Sequence, residues 1–215
     1  MTQENESKNK LNNYKPIMVL GNPNHGKTNL SAYLARETGF KDLYLLGYPG
    51  EIEGFKNLND LRDLCRIKEC CVIIDEIDEI IPLSSRRSGE AIKRVLKFAY
   101  HNRIKLIFNT QLSQFVSKMM SALIPCWAVV EMDVFELKNG CKIKRILLDY
   151  IKLPGVINKE LGMRLEVGKF IWFDDYASAG DNGVCSFPDQ GIGKAWHHRD
   201  LNIVNKVTEF DKNLQ

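Results

Sequence analysis

A lysine, a threonine and two adjacent carboxylates are the residues of this sequence whose types and spacing can work on a phosphate. Lys27 and Thr28 lie in "GNPNHGKTNL", residues 21–30, which fits the pattern G-x-x-x-x-G-K-[ST]. Gly21 and Gly26 are its two glycines, Asn22, Pro23, Asn24 and His25 fill the span between them, and Asn29 follows. In such a loop, backbone N–H groups and a helix N-terminus surround the phosphates of a nucleotide. The lysine reaches the β and γ oxygens, and the threonine hydroxyl takes a Mg²⁺ position. Asp75 and Glu76 close the apolar run "CCVII". Two neighbouring acids at a strand end can divide the work: Asp75 facing the Mg²⁺, Glu76 orienting and activating a water for attack on the γ-phosphate. A small-molecule kinase needs its base beside an acceptor. Asp-Glu at a strand end instead suits an ATPase that uses water, with hydrolysis coupled to motion.

The elements that must hold these groups follow from the apolar pattern. A strand over 16–20 precedes the phosphate loop, and "TNLSAYLARET" continues with helical spacing, giving a helix over 27–37. "LYLLG" (43–47) reads as a second strand, "GYPGEIEGFKN" as a loop and "LNDLRDLCRI" as a short helix. The unbroken apolarity of 70–74 fits a strand covered on both faces, as in a parallel sheet, with its carboxylates at the carboxyl edge where nucleotide-binding sheets hold their ligands. After a polar loop, Ile92, Val95, Leu96 and Ala99 mark one face of a helix starting near Ser88 and Glu90. "IKLIFNTQ" (104–111) is a further buried strand ending in Asn109, Thr110 and Gln111. Of these, Gln111 is the first choice for a side chain that contacts the γ-phosphate or the attacking water. A helix ("LSQFVSKMMSALI") and a strand ("CWAVVEM") follow. The fold class is α/β, with a mainly parallel multistranded sheet flanked by helices. Residues 1–14 are a polar tail, 15–135 the ATPase core, and 136–215 an extension that completes or decorates the same domain. In that extension Asn139-Gly140 signals a β-hairpin.

Composition narrows the classes further. The 215 residues carry a net charge of +3, with no long basic block, so an anionic partner is permitted without being demanded. No run of about 18 apolar residues suggests a membrane span. The opening "MTQENESKNKLNN" lacks the apolar core of a signal peptide, so a soluble intracellular protein is expected. Six cysteines form no disulfide or metal framework: Cys70 and Cys71 should point to opposite faces of one strand. Zinc at Cys185, His197 and His198 lacks supporting ligand spacing. Lys138, Lys142, Lys144 and Arg145 near the hairpin, with Lys194 and Arg199, are candidates for sequence-independent phosphate contacts, set against an ordinary solvated role.

Taken together, "GNPNHGKT", "VIIDE" and "IKLIFNTQLSQFVSKMM" resemble the FtsK/HerA superfamily of P-loop ATPases, most of all its short viral genome-packaging members. The resemblance covers about residues 15–135. It implies that Lys27 and Thr28 bind ATP and Mg²⁺, that Asp75 and Glu76 form the second acidic motif, and that Gln111 is the polar sensor. It also implies a homo-oligomeric ring, usually a hexamer, that pulls double-stranded DNA through a channel, in a host cytoplasm and at a viral capsid or membrane vertex. Family members often carry an Arg followed by a Gly ahead of the last of these strands. This chain reads "AYHNRIKLIF", so Arg103 occupies the neighbourhood of an arginine finger without matching its spacing, with Arg86 and Arg87 as competitors. Two alternatives are an AAA+ protein, which should continue into a helical lid, and a nucleotide-dependent phage morphogenesis switch.

Overall fold

The computed structural model describes residues 14–22, 26–81, 86–111, 123–130, 157–158, 162–163, 169–174 and 183–186. Among these residues ten strands run in chain order: β1 (Ile17–Leu20), β2 (Leu43–Leu46), β3 (Phe55–Leu58), β4 (Cys70–Ile74), β5 (Ile104–Thr110), β6 (Cys126–Val129), β7 (Ile157–Asn158), β8 (Gly162–Met163), β9 (Lys169–Asp174) and β10 (Gly183–Ser186). The described helices are α1 (Lys27–Glu37), a single turn α2 (Ile77–Ile80) and α3 (Arg86–His101), with a 3-10 segment over Leu61–Arg66. None is long and apolar enough to cross a membrane.

Eight strands form one sheet in the order β10-β9-β6-β1-β5-β4-β2-β3, and β7 pairs separately with β8. The six strands from β6 to β3 are parallel, whereas β9 runs antiparallel to β6, and β10 to β9. The fold is thus the mainly parallel α/β sheet expected from the sequence. Two features place the site. First, β5 lies between the phosphate-loop strand β1 and the acidic strand β4. Second, the chain leaves β1 for β2 on one side and returns from β5 to β6 on the other. The carboxyl end of β1 is therefore a topological switch point, where such sheets hold ligands.

Burial on both faces explains the sequence of the central strands. Met18 and Leu20 of β1, Cys70, Val72 and Ile74 of β4, and Leu106 and Phe108 of β5 join one apolar cluster with Ile92 and Ala99 of α3. Ile17 and Val19, Cys71 and Ile73, and Ile107 join a second cluster with Leu30, Leu34 and Ala35 of α1. Each strand alternates between the clusters, as a two-residue period requires. Cys70 and Cys71 do point apart, and burial pushes each thiol up to about 12, so neither is a thiolate at neutral pH.

Several expectations are corrected. The stretch taken as a loop after Gly47 contains β3, an edge strand whose Lys56 and Asn57 are exposed, so its apolar content is too low to read as a strand. "LNDLRDLCRI" is a 3-10 segment held by its own acids: Asp60 accepts from the Arg62 N–H at 2.7 Å and Asp63 from the Asp60 N–H at 3.1 Å. Helix α3 begins at Arg86 rather than near Ser88. No correction attaches to the extension over 136–215, of which β9 and β10 lie in the main sheet beyond β6. The proposed hairpin at 139–140, and the candidate contacts Lys138, Lys142, Lys144, Arg145, Lys194, Arg199, His197 and His198, lie outside the described residues.

Candidate nucleotide site

The loop after β1 and the start of α1 form the phosphate side of the site. Gly26 precedes the helix at φ 81°, a left-handed conformation that disfavours other residues; space for a side chain is open there, so backbone geometry is what calls for glycine. Leu30 N–H donates to Gly26 O at 2.9 Å, which closes the first helical turn. The first turn holds no acidic residue and Gly26 brings no side-chain cap, so no carboxylate of the helix competes with an anion at the positive end of its dipole. Lys27 and Thr28 are 5% and 8% exposed, and Lys27 Nζ donates to Asn22 O at 3.0 Å. Asn29 adds a buried Oδ1 with no hydrogen-bond partner among the described residues. Gly21 and Asn22 lead into the loop, and Pro23, Asn24 and His25 lie outside the described residues.

The second side comes from β4 and β5. Parity on β4 carries Asp75 to the α1 face, two residues beyond Ile73, and parity on β5 carries Asn109 to that face, two beyond Ile107. The register aligns Ile74 with Phe108, which puts Asp75 beside Asn109 at the strand ends. Asn109 Nδ2 donates to Asp75 Oδ1 at 2.6 Å, and the Thr28 hydroxyl lies 3.3 Å from both carboxylate oxygens. The Ser31 hydroxyl donates in turn to Asn109 Oδ1. Burial pushes the Asp75 carboxyl above the ordinary range, opposed by its bond from Asn109, the nearby Lys27 charge and the Thr28 bond. Gly47 makes room for the strand end. At φ 82°, a Cβ on it would come within 2.7 Å of Asp75 O and 2.8 Å of Ile80 Cδ1.

Glu76 does not continue the strand. It adopts φ 44°, ψ 58°, a left-handed conformation uncommon for a residue with a side chain, and caps α2. That turn separates the two neighbouring acids: Asp75 meets Thr28, whereas Glu76 Oε1 accepts from Gln111 Nε2 at 2.8 Å. The expected sensor strand therefore reaches both acids, Asn109 contacting Asp75 and Gln111 contacting Glu76. Asn109, named among the strand-end residues but ranked below Gln111, is the one in direct contact with Asp75. Ser31 was not singled out. Strand parity, counted from the apolar residues of 104–108, is the signal that separates Asn109 and its α1 neighbour from Thr110.

Arg103 is placed elsewhere. It precedes β5 at the amino edge of the sheet, at φ 56°, and its guanidinium bonds Glu69 Oε1 at 2.9 Å. Seven residues of β5, roughly 20 Å at strand rise, separate it from the Asn109 end. It cannot serve the phosphate loop of its own chain. Arg86 and Arg87 open α3, and only their backbone is described.

A nucleotide and Mg²⁺ fit these residues. The loop offers a helix N-terminus and a lysine to phosphate oxygens. Thr28 and Asp75 offer hard oxygen donors of the kind Mg²⁺ takes. No cluster of three or more His, Cys, Asp or Glu among the described residues offers a dedicated metal cage.

Comparison with known proteins bears on the family and the fold. The family model for the ATPase family associated with various cellular activities (AAA) matches residues 17–124, and the chain belongs to that family. The fold is shared with B204, the DNA-packaging ATPase of Sulfolobus turreted icosahedral virus, at 14% identity and TM-score 0.58, over 82% of this chain and 98% of that one. B204 of Sulfolobus turreted icosahedral virus 2 in complex with AMPPCP matches at 14% identity and TM-score 0.56, over 81% and 97%. The pCW3 conjugation coupling protein TcpA, in its monomer form with ATPgS, matches at 13% identity and TM-score 0.53, over 86% of this chain and 65% of TcpA, so the chain spans just under two thirds of that protein. A search of curated protein sequences gives no significant match. These findings show an ATPase of the AAA family whose fold is shared with these proteins. The AAA match bears out the AAA+ kinship weighed as an alternative, and the segment where its helical lid would follow, residues 131–156, lies outside the described residues.

Proposed function

We propose that this chain is an ATP-driven translocase of double-stranded DNA, working as a homo-oligomeric ring of the kind that packages viral genomes. The observation that carries the hydrolytic part is the separation of the adjacent acids, Asp75 toward Thr28 and Glu76 toward Gln111, at the carboxyl end of the phosphate-loop strand. Lys27, Thr28 and the loop around Gly21 to Asn29 hold the triphosphate. Thr28 and Asp75 hold Mg²⁺, which when bound neutralises phosphate charge. Glu76, oriented by Gln111, takes the proton of a water whose oxygen attacks the γ-phosphorus as the bond to the β-phosphate oxygen breaks, leaving ADP and phosphate.

The DNA part rests on the likeness in fold to a DNA-packaging ATPase and a conjugation coupling protein. The ring rests on the placement of Arg103, which pairs with Glu69 at the amino edge of the sheet, away from the phosphate loop of its own chain. A neighbour presenting Arg103, Arg86 or Arg87 would supply the phosphate site with a cation, an arrangement worth about 10³–10⁵-fold in turnover. Phosphate release by the full chain with ATP and Mg²⁺, with and without linear double-stranded DNA, tests the whole reading. Length-dependent and sequence-tolerant stimulation that weakens with salt is expected, because backbone contacts release counterions and carry little base information. Hydrolysis indifferent to DNA at every salt concentration would favour the nucleotide-dependent switch.

A further inference from the structure

Ser31 is fully buried in the interior of α1, where its hydroxyl has a choice. A helical serine ordinarily bonds back to the carbonyl four residues earlier or points to solvent, and alanine is the better helix former at such a site. Here the hydroxyl donates across the interface to Asn109 Oδ1, and the same amide donates through Nδ2 to Asp75 Oδ1 at 2.6 Å. Thr28 and Ser31 are three residues apart and so share one face of α1. The helix thus holds Asp75 twice, directly through Thr28 and indirectly through Ser31 and Asn109. Thr28, Asp75, Asn109 and Ser31 complete a circuit that spans α1, β4 and β5. Ser31 and Asn109 are 0% exposed, so water cannot replace either partner if it is lost.

We propose that Ser31 is a positioning residue that fixes the Asp75 carboxylate for Mg²⁺ by clamping the Asn109 amide. A donor on the amide oxygen polarises the amide and strengthens its N–H donation. The Thr28 hydroxyl lies 3.3 Å from both carboxylate oxygens, so it is the Asn109 bond to Oδ1 that sets the two apart and fixes the rotation of the carboxylate. This inference rests on Thr28 and Asp75 being the Mg²⁺–nucleotide site. Ser31 itself touches neither substrate nor metal.

The test compares the full-length parent with Ser31→Ala, Asn109→Ala, the double variant and, as a control on the site itself, Lys27→Ala. Calorimetry gives the affinity for ATPγS in EDTA and in Mg²⁺. Nuclear magnetic resonance of the nucleotide-free protein gives the solvent-exchange rate of the Asn109 side-chain amide. Ser31→Ala should still melt cooperatively, bind ATPγS in EDTA within about twofold of the parent, and lose roughly tenfold of the tightening that Mg²⁺ confers, the usual scale for a partner of a metal ligand. Its Asn109 amide should exchange at least about tenfold faster, and the double variant should be no worse than Asn109→Ala. A parental Mg²⁺ response in Ser31→Ala, an equal loss with and without Mg²⁺, or additive effects in the double variant would each overturn the proposal. If Lys27→Ala binds ATPγS like the parent, the nucleotide site itself is wrong. If Lys27→Ala abolishes binding while Ser31→Ala keeps its Mg²⁺ response, only the role of Ser31 fails.

Discussion

At the carboxyl edge of the sheet, Asp75 is 6% exposed and held by Asn109 and Thr28; at the amino edge, one strand length away, Glu69 and Arg103 pair at 2.9 Å with side chains 65% and 64% exposed. Both edges combine a carboxylate with polar or charged partners and a residue at positive φ, Glu76 on one side and Arg103 and Glu69 on the other. They differ in access to water. An exposed ion pair is screened and contributes at most about 1 kcal/mol. A buried carboxylate that loses a hydrogen-bond donor pays a desolvation cost of about 1–3 kcal/mol or more. Charge at the carboxyl edge is therefore tied to a fixed geometry, as a phosphate site needs. Charge at the amino edge, exposed on both partners, is free to exchange partners.

The sharpest way to break this comparison is to remove charge from the buried edge. Lys27→Ala should abolish measurable ATPγS binding in calorimetry, and Asp75→Asn should lower Mg²⁺-dependent turnover by at least about 100-fold, since each removes a charge directed at phosphate or metal. An unchanged Mg²⁺ titration for Asp75→Asn would put the metal elsewhere. Next in size is Glu76→Gln, which keeps the shape and the contact with Gln111 but removes the base. Turnover should fall by about 10²–10⁴-fold in a phosphate-release assay, with ATPγS affinity within a few fold of the parent. Gln111→Ala should be milder, roughly tenfold in turnover, because a charge-assisted bond of about 1.5 kcal/mol is lost while the carboxylate remains. Smallest of all is the effect of Arg103→Ala on the isolated chain: stability in a urea titration should change by less than about 1 kcal/mol and nucleotide affinity not at all. Its consequence should be confined to the assembly, where turnover falls and partly returns on mixing with Lys27→Ala. A nucleotide affinity that falls with Arg103→Ala in a monomer would dissolve the contrast between the edges.

The buried edge was largely legible in the sequence because its constraints are local. The loop pattern locates Lys27 and Thr28, and unbroken apolar runs locate β1, β4 and β5, whose ends then locate Asp75, Glu76 and Gln111. What remained hidden depends on non-local facts. Asn109 bonds Asp75 because β5 pairs with β4 in one particular register, which no stretch of residues announces alone. Ser31 looks like a neutral helical residue until β5 is placed against α1. Half-exposed β3 was hidden by its polar Lys56 and Asn57 and by the Gly-containing stretch before it. The return of β9 and β10 to the sheet depends on strand pairing across a long separation in the chain. At the amino edge, sequence order shows that Arg103 precedes β5 without showing that Glu69 meets it there.

The central claim is that hydrolysis at the carboxyl edge is coupled to DNA. The most direct measurement is steady-state phosphate release by the parent and Glu76→Gln proteins over a series of linear double-stranded DNA lengths and salt concentrations, with assembly followed by light scattering. The account predicts that the parent is stimulated by DNA in a way that grows with length, ignores sequence and fades as salt rises, and that Glu76→Gln assembles and binds ATPγS yet releases almost no phosphate with or without DNA. Parental hydrolysis that DNA never alters, or Glu76→Gln hydrolysing at the parental rate, would contradict it.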